Sequence, residues 1–205
     1  MKKVHLQLRR EREKQARIQA ILEAGLKIFG SQGYHGTSMD AIAEAAELGK
    51  ATLYYYFKSK DELLLAILQH GILDFFERLD AAWENVSDPL QKLEAVPNVG
   101  AEFFALHPDY FKLYHYLTAH PVLREKAFQK LHPLIVEKVR LIQSLFQEAM
   151  EHGLIEVFDP NDLTEIFGSL IMGMGLFTHP PVQSSVLKQK AKLIATIFMN
   201  GIRKK

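Results

Sequence analysis

Two short apolar stripes separated by a tight break constrain the fold of this chain more than any other feature of its sequence. The first stripe falls in residues 39–46, and the second, carried by Leu53 and Phe57, follows a break at residues 47–49. A longer amphipathic stripe with i, i+3, i+4, i+7 spacing precedes both, at residues 18–29. Two short helices joined by a tight turn after a longer helix predict a helix-turn-helix unit, whose second short helix normally lies in the DNA major groove.

Residues that stop or start helices support this division. Gly33 is placed as a left-handed stop of the long helix, and Thr37, three residues before Asp40, as a capping-box-like start of the first short helix. Ser59 and Glu62 form the capping box S-x-x-E, which opens a long helix after the second short one. These signals predict three helices ahead of residue 60.

Three consecutive tyrosines, Tyr54, Tyr55 and Tyr56, stand on the second short helix. Each residue turns an α-helix by about 100°, so the three rings fan across about 200° and no single core can bury them all. With Leu53 and Phe57 as the inward positions, the tyrosine fan is predicted to lie on the outer face. The alternative is aromatic packing against neighbouring helices, for Tyr54 more than for Tyr56.

The net charge of +1 hides an uneven distribution. Residues 1–60 carry 11 Lys and Arg against 6 Asp and Glu, whereas the remaining residues carry 14 against 18. A basic module on a mildly acidic body is typical of a phosphate-binding unit, although a basic tail solvated by water accounts for the same numbers. A minor groove or a flanking phosphate is a candidate partner for the amino-terminal arm, whose basic residues are Arg9, Arg10, Arg12, Lys14 and Arg17.

Beyond residue 60 helix follows helix, and strand signals are missing from the pattern. Asp88-Pro89 and Asp159-Pro160 are typical helix starts, and Pro97 is predicted to kink or end the helix that contains it. Further boundaries are expected where the residue before a proline avoids the helical conformation, at His107-Pro108, His120-Pro121 and His132-Pro133.

The sequence as a whole predicts an all-α protein of about nine helices, with a helix-turn-helix DNA-binding domain at residues 1–60 and a second helical domain at residues 61–205. An apolar share of 48% allows a sizeable core. The absence of cysteine excludes disulfides and thiolate metal sites, and it fits a reducing cytosol. The longest nearly apolar run, residues 167–177, is too short for a bilayer, so we expect a soluble, cytoplasmic protein without a membrane partner.

Three segments of the chain resemble the amino-terminal domain of the TetR family of transcriptional repressors: ILEAGLKIFGSQGY (21–34), TSMDAIAEAA (37–46) and ATLYYYFKSKDELL (51–64). The match covers roughly residues 15–68, and GLIEVFDP (153–160) is similar more loosely. The resemblance implies a homodimer that binds a palindromic operator with two DNA-reading heads. It also implies that a small molecule in the helical body changes the separation of the heads and releases the operator.

The turn between the two short helices departs from the family pattern, which usually reads Gly-Val-Ser. Here it reads Glu47-Leu48-Gly49, and because glutamate tolerates positive φ less well than glycine, we expect a strained or differently shaped corner. Gly49 also stands where a Ser or Thr cap is common, which predicts a modest loss of helix stability.

Candidate DNA contacts begin at the amino ends of the two short helices. Thr37 and Ser38 stand at a helix N-terminus, where hydroxyl and backbone N–H groups bind a phosphate well, with simple capping as the alternative. Lys50, Ala51 and Thr52 open the recognition helix and are placed for base edges. A lysine there suits guanine, and the two small residues suit a thymine methyl group.

The resemblance to the family adds four further DNA contacts. Tyr54 and Tyr56 match positions that commonly donate their phenolic hydrogens to phosphates. Tyr55 falls on the groove-facing side and is expected to contact a base or a sugar, and Lys60 matches a common phosphate-binding lysine. Double-stranded DNA is thus the expected macromolecular partner.

The middle of the chain is rich in aromatic residues, and the resemblance implies that some of them line an effector cavity. An ordinary helical core is the alternative for each of these side chains. A pocket of this composition suits an apolar or aromatic small molecule touched by a few polar groups. The candidate ligand-binding residues are Phe76, Phe103, Tyr110, Tyr114, His115 and Met172.

The last two helices are the expected dimer interface, by resemblance to the family's four-helix arrangement. Glycines on the apolar helix near residues 168–175 allow close approach of backbones, with packing inside one chain as the alternative. The candidate interface residues are Gly168, Met172, Gly175, Leu193 and Ile197.

Other classes of protein remain open at this point. A helical enzyme or metal carrier built on the aromatic and histidine-rich body is one rival, and a DNA-binding regulator without an effector is another. His107, His120 and His132 each precede a proline and are interpreted as corner residues, so no metal site is predicted. No Ser/His/acid set, paired-carboxylate motif or phosphate loop stands out, so neither catalysis nor a cofactor is predicted.

Overall fold

The computed structural model of the protein describes residues 2–174 and 183–204, with side chains from residue 5 onward. Across these residues the chain forms nine α-helices: α1 (Lys2–Gly36), α2 (Met39–Ala45), α3 (Lys50–Tyr56), α4 (Lys60–Trp83), α5 (Pro89–Leu106), α6 (Pro108–Ala119), α7 (Pro121–Glu151), α8 (Pro160–Met172) and α9 (Ser184–Ile202). The predicted all-α class is confirmed. None of these helices is long and apolar enough to cross a membrane.

Prolines start four of the helices, as the sequence predicted. At two of these starts an aspartate caps the helix: Asp88 Oδ1 accepts a hydrogen bond from Leu90 N at 3.2 Å, and Asp159 Oδ1 accepts one from Asn161 N at 2.7 Å. The carboxylates satisfy backbone N–H groups that have no partner within the first turn, while proline lacks an N–H to satisfy.

Two other prolines lie inside helices. Pro97 does not end α5, and α7 continues past Pro133, so the boundary expected at His132-Pro133 is wrong. A proline inside a helix removes one hydrogen bond and crowds the preceding turn, at a cost of about 3 kcal/mol. The apolar stripes on either side of each proline outweigh that cost once they are buried.

The described residues form two compact units. Unit 1 comprises residues 1–70 together with residues 112–127, and unit 2 comprises residues 71–111 together with residues 128–205. The predicted boundary at residue 60 concerns functional domains and stays a prediction. The grouping adds one feature absent from the prediction, because most of α6 and the start of α7 belong to the unit that contains the helix-turn-helix.

The core of unit 1 joins all three of its first helices to α4. Gly25 of α1 lies so close to α4 that a Cβ atom at this position would be 2.8 Å from Ile67 Cδ1. Absence of a side chain there lets the two helices approach each other. The fully buried side chains of this core include Ile21, Phe29, Ile42, Leu53, Leu63 and Leu64.

The core of unit 2 includes a cluster of three phenylalanines from α7, α8 and α9. The ring centroid of Phe167 lies 5.8 Å from that of Phe146 and 4.8 Å from that of Phe198. Two backbone hydrogen bonds hold the end of α9 and the residues after it: Glu156 N donates to Ile202 O at 2.8 Å, and Lys204 N donates to Leu154 O at 3.3 Å. These bonds join the segment between α7 and α8 to the carboxyl end of α9.

Candidate nucleic-acid interface

The recognition helix α3 is anchored on one side and open on the other. Leu53 is 0% exposed and Phe57 is buried, as the sequence predicted. Tyr54 is 44% and Tyr55 is 71% exposed, whereas Tyr56 is half-buried with its ring edge-on to that of Tyr55 at 5.1 Å. The tyrosine fan therefore lies mostly on the outer face of the helix, available to a partner.

Lys58, which sequence reasoning did not select, caps the carboxyl end of α3. Its Nζ donates to Tyr54 O at 2.9 Å and to Tyr55 O at 3.2 Å, and it lies 5.8 Å from the Tyr55 ring. A basic residue directly after a short helix is a recognisable signal, because the last carbonyls of a helix lack donors and carry partial negative charge.

The amino end of α3 is open to solvent. Gly49 is its N-cap and makes no side-chain hydrogen bond, in line with the expected loss of a cap. Lys50 and Ala51 are exposed, and Thr52 is half-buried. The Lys50 ammonium pairs with the Asp40 carboxylate, and this hydrogen bond raises the pKa of Lys50. The three predicted base contacts thus lie at an accessible helix start, and their roles stay predictions.

The cap of α2 differs from the sequence prediction. Ser38, not Thr37, is the N-cap, and its Oγ accepts a hydrogen bond from Ala41 N at 3.1 Å. Thr37 is 3% exposed, and its Oγ1 donates to Gly33 O at 2.7 Å. The positive φ of Gly33, 69°, turns this carbonyl into reach of the threonine. The exposed Ser38 hydroxyl is the better placed of the two for the predicted phosphate contact.

The corner between α2 and α3 holds the strain expected from its sequence. Glu47 has φ 54°, in the left-handed region that favours glycine. Leu48 N donates to Ala43 O at 2.9 Å and Glu47 N donates to Glu44 O at 3.0 Å. These two bonds form a Schellman motif, which normally has glycine at the left-handed position.

Replacing Glu47 with glycine is expected to raise the free energy of unfolding by about 0.5–1 kcal/mol, because glycine adopts this conformation without steric cost. Urea denaturation checks this value. The matched control is Glu44→Gly, three residues earlier in helical conformation, which is expected to lower stability by about 1 kcal/mol. Destabilisation by both substitutions would contradict the assigned strain.

The α1–α2 link, residues 33–38, comprises the end of α1 from the break at Gly33 and the two residues before α2, and it is bound by the first residues of α4. Lys60 Nζ donates to Tyr34 O at 2.7 Å and to Thr37 O at 2.8 Å, and it lies 4.3 Å from the centre of the Tyr34 ring. The Tyr34 hydroxyl donates to the Asp61 carboxylate. Two of the three N–H bonds of Lys60 thus point to backbone carbonyls, and its predicted phosphate contact stays a prediction.

The Asp61 carboxylate accepts hydrogen bonds from two side chains in this region. Lys126 Nζ donates to Asp61 Oδ2 at 2.7 Å, and this hydrogen bond, together with that from Tyr34, lowers the pKa of the Asp61 carboxyl group. Partial burial and the same carboxylate raise the pKa of Tyr34 above its ordinary value. The carboxylate form of Asp61 is therefore stabilised by the fold.

Acid is expected to remove the contribution of Asp61 to stability. Because its pKa is lowered on folding, the contribution is present above the unfolded-state pKa of about 3.9 and is lost as the pH falls through the lower folded-state value. Asp61→Asn is expected to cost about 1–2 kcal/mol at neutral pH and progressively less below about pH 4. Thermal unfolding from acidic to neutral pH checks this; the exposed control Glu44→Gln is expected to show a constant, small difference.

Unit 2 holds four of the six predicted effector-binding residues. Phe103 and Tyr110 are buried, with their rings stacked at 5.5 Å, and Phe76 and Met172 are half-buried. The Tyr110 ring lies on the backbone of α4 at Gly71, where an added Cβ would be 2.5 Å from a ring carbon. The described residues of this unit thus contain an aromatic cluster of the predicted character.

The other two predicted effector-binding residues, Tyr114 and His115, belong to unit 1. Both are half-buried, and burial raises the pKa of Tyr114 and lowers that of His115. The six-residue lining stays a prediction. Among the described residues, no group of three or more His, Cys, Asp or Glu side chains is placed to hold a metal ion.

The predicted dimer residues lie on α8 and α9 where the structure describes them. Leu193 and Ile197 are 57% and 63% exposed, one turn apart on α9. Gly168 and Met172 are half-buried on α8, and Gly175 lies outside the described residues. Their role at an interface stays a prediction.

Unit 1 therefore presents two short helices that meet at a tight turn, and the second carries exposed lysine and tyrosine side chains over a buried leucine. In helix-turn-helix proteins, the element that reads the DNA major groove is a short, anchored helix whose outer face carries basic and hydroxyl groups. The fold and the site define a helix-turn-helix DNA-binding protein.

Comparison with known proteins identifies the family. The family model for bacterial regulatory proteins of the tetR family matches residues 21–67. The HTH-type transcriptional regulator RutR of Escherichia coli K12 is 32% identical over an alignment that covers 95% of this chain and 94% of RutR. The chain belongs to the TetR family of bacterial transcriptional regulators. Its matched relatives are regulators and not enzymes.

Solved structures show the same fold. The fatty acid degradation regulator FadR of Bacillus halodurans has a TM-score of 0.76 at 18% identity, covering 92% of this chain and 97% of FadR. AibR, solved in complex with isovaleryl coenzyme A and operator DNA, has a TM-score of 0.72 at 24% identity, covering 88% of this chain and 97% of AibR. Both matches extend well beyond the helix-turn-helix.

Proposed function

We propose that this regulator is a homodimeric, effector-responsive repressor that acts in the cytoplasm on a palindromic DNA operator. The observation that carries the proposal is the outer face of α3, where exposed Lys50, Tyr54 and Tyr55 stand above the fully buried Leu53. Exposed tyrosines combine an apolar ring with a hydroxyl donor, so they suit contacts to sugars, bases and phosphates. The basic balance of residues 1–60 supports the same partner.

Dimer formation is supported by an apolar face on the last two helices. Ile166 and Leu170 on α8 are exposed with i, i+4 spacing, and Leu193 and Ile197 on α9 have the same spacing and exposure. Such side chains are stabilised when a second copy covers them. A two-fold symmetric dimer presents two identical recognition helices, which in turn match two half-sites of a palindrome.

Control by a small molecule is supported by the aromatic cluster of unit 2 and by the AibR complex, which contains both an acyl coenzyme A and operator DNA. We infer an apolar or aromatic effector, because the interior of this unit contains the aromatic side chains Phe75, Phe103 and Tyr110. Thermal-shift screening with apolar acids and aromatic compounds tests this. A compound that raises the melting temperature and weakens duplex binding supports control by an effector.

Selection of duplexes from a random pool with the purified protein tests the DNA-binding proposal. Enriched sequences are expected to be palindromic, and their affinity should fall steeply between about 50 and 300 mM salt, because each neutralised phosphate contributes a slope of about −0.9 in log–log form. Recovery of no enriched duplex, or an affinity that does not depend on salt, would contradict the proposal.

Tyr56→Phe tests one predicted contact within this site. The substitution keeps the half-buried ring and removes only the hydroxyl, so a lost hydrogen bond to a charged phosphate is expected to weaken duplex binding about tenfold or more. Fluorescence anisotropy with the selected duplex measures the change. Unchanged affinity would mean that the Tyr56 hydroxyl does not contact DNA.

A further inference from the structure

The α1–α2 link leaves the regular helical path at Gly33, within the range of α1, and needs donors for its carbonyl groups. Gly33 O accepts a hydrogen bond from Thr37 Oγ1 at 2.7 Å, and Ser38 O accepts one from Ile42 N at 3.2 Å. The carbonyls of Tyr34 and Thr37 accept hydrogen bonds from one side chain, that of Lys60. Backbone groups of this kind cost free energy when they are left unsatisfied, so Lys60 stabilises a specific shape of the link.

The side chain of Tyr34 is held at several points. Lys60 lies over its ring at 4.3 Å, and Asp61 accepts its hydroxyl hydrogen. Phe29 of α1 stacks on the same ring with a centroid distance of 6.0 Å. Two consecutive residues of α4 therefore bind both the backbone and the side-chain end of one tyrosine.

The segment at residues 112–127 completes the arrangement. Tyr116 stacks on Tyr34 with a centroid distance of 5.0 Å, and its hydroxyl lies 3.2 Å from His35 Nε2. Lys126 holds the second oxygen of the Asp61 carboxylate at 2.7 Å. All these contacts lie within unit 1, so they orient the link relative to the rest of the DNA-binding unit.

We propose that Lys60 and Asp61 form a latch on Tyr34 that fixes the α1–α2 link and thereby positions α2 and α3 for DNA. Lys60 is then a positioning residue and not a phosphate ligand, in contrast to the expectation from the family resemblance. Its ammonium group points to Tyr34 O, Thr37 O and the Tyr34 ring, and the residue is half-buried. The positioning of α2 and α3 for DNA rests on the proposed DNA-binding function, whereas the latch itself rests only on the contacts within unit 1.

The latch is testable without DNA. In Lys60→Met, hydrogen–deuterium exchange of the amides of residues 34–46 is expected to be about tenfold faster than in the unaltered protein, because two carbonyls lose their donor. Lys27→Met, which removes an equal charge from an exposed position of α1, is the matched control and is expected to leave these rates unchanged. Unchanged exchange in Lys60→Met would overturn the latch.

The salt dependence of duplex binding distinguishes a positioning role of Lys60 from direct binding of a phosphate. With a selected duplex, well below the melting temperature, Lys60→Met is expected to bind about tenfold more weakly with the same salt slope as the unaltered protein. A phosphate ligand instead reduces the magnitude of the slope by about 0.9. If the salt slope of Lys60→Met is smaller in magnitude by this amount than that of Lys27→Met, the positioning role is overturned, even if hydrogen–deuterium exchange is faster.

A milder variant covers the case in which Lys60→Met does not fold. Tyr34→Phe keeps the ring beneath Lys60 and both carbonyl bonds, and loses only the hydrogen bond to Asp61. Exchange of residues 34–46 is expected to be about threefold faster, with the salt slope unchanged. If the unaltered protein binds no duplex, the proposed function is rejected. If Lys60→Met misfolds and hydrogen–deuterium exchange is unchanged in Tyr34→Phe, the latch is rejected.

Discussion

Replacing Leu193 and Ile197 together with aspartate is expected to convert the proposed homodimer into a monomer. Both side chains are more than half exposed on α9 within one chain, so the fold of the monomer does not depend on them. In a dimer they would be buried, and two unpaired carboxylates in an apolar interface cost several kcal/mol. We expect the dimer dissociation constant to rise at least about 100-fold. Sedimentation-equilibrium centrifugation measures it.

The matched control for this experiment replaces Leu6 and Leu8 with aspartate. These two leucines are about as exposed as the α9 pair but lie near the start of α1. The control is expected to remain dimeric and to keep its melting temperature. A Leu193→Asp, Ile197→Asp variant that is still dimeric would show that the interface lies elsewhere, and α8 and α9 would then need another explanation for their exposed apolar residues.

Truncating Leu53 to alanine is expected to lower the free energy of unfolding by about 3 kcal/mol, since a fully buried leucine loses both its transfer energy and its packing. This is a large fraction of the 5–15 kcal/mol typical of a domain. Urea denaturation measures the loss. Because α3 is short and Leu53 anchors it, we also expect duplex binding to fall in parallel with the folded fraction of this helix.

Tyr55→Ala is the counterpart on the opposite face of the same helix. Its ring is largely exposed, so the free energy of unfolding is expected to change by less than about 0.5 kcal/mol. Affinity for a selected duplex is nevertheless expected to fall about tenfold, because the removed surface belongs to the proposed interface. A stability loss as large as that of Leu53→Ala would contradict the division of α3 into an inner and an outer face.

Local signals predicted much of the structure. Helices start at Asp88-Pro89 and Asp159-Pro160 as expected, because the start of a helix depends on residues only two or three positions apart. The strain at Glu47 was foreseeable for the same reason, since only the residue type and the turn decide it. The boundary predicted at Pro133 was wrong, and α5 does not end at Pro97, because both helices are stabilised by burial that a local rule does not include.

Contacts between distant residues escaped prediction. Thr37 was expected to cap α2, but Gly33 turns its carbonyl toward the threonine hydroxyl, which leaves Ser38 as the cap. The carbonyl partners of Lys60 were not foreseen either, because Thr37 O and Tyr34 O lie 23 and 26 residues away from it in the chain. Sequence periodicity reports which face of a helix is apolar, but it does not report which polar groups meet across helices.

The sequence by itself determined the all-α class, the helix-turn-helix, the outward tyrosine fan and the family, because each depends on periodicity, short motifs or direct similarity. Only the tertiary structure decided that residues 112–127 belong to the unit that contains the helix-turn-helix and that Lys60, Asp61 and Tyr34 join there. The physical reason is that packing brings α1, α4 and α7 together, and hydrogen bonds between them depend on that packing. The three tyrosines of α3 are predictable from one helix, whereas the latch on Tyr34 requires the whole unit.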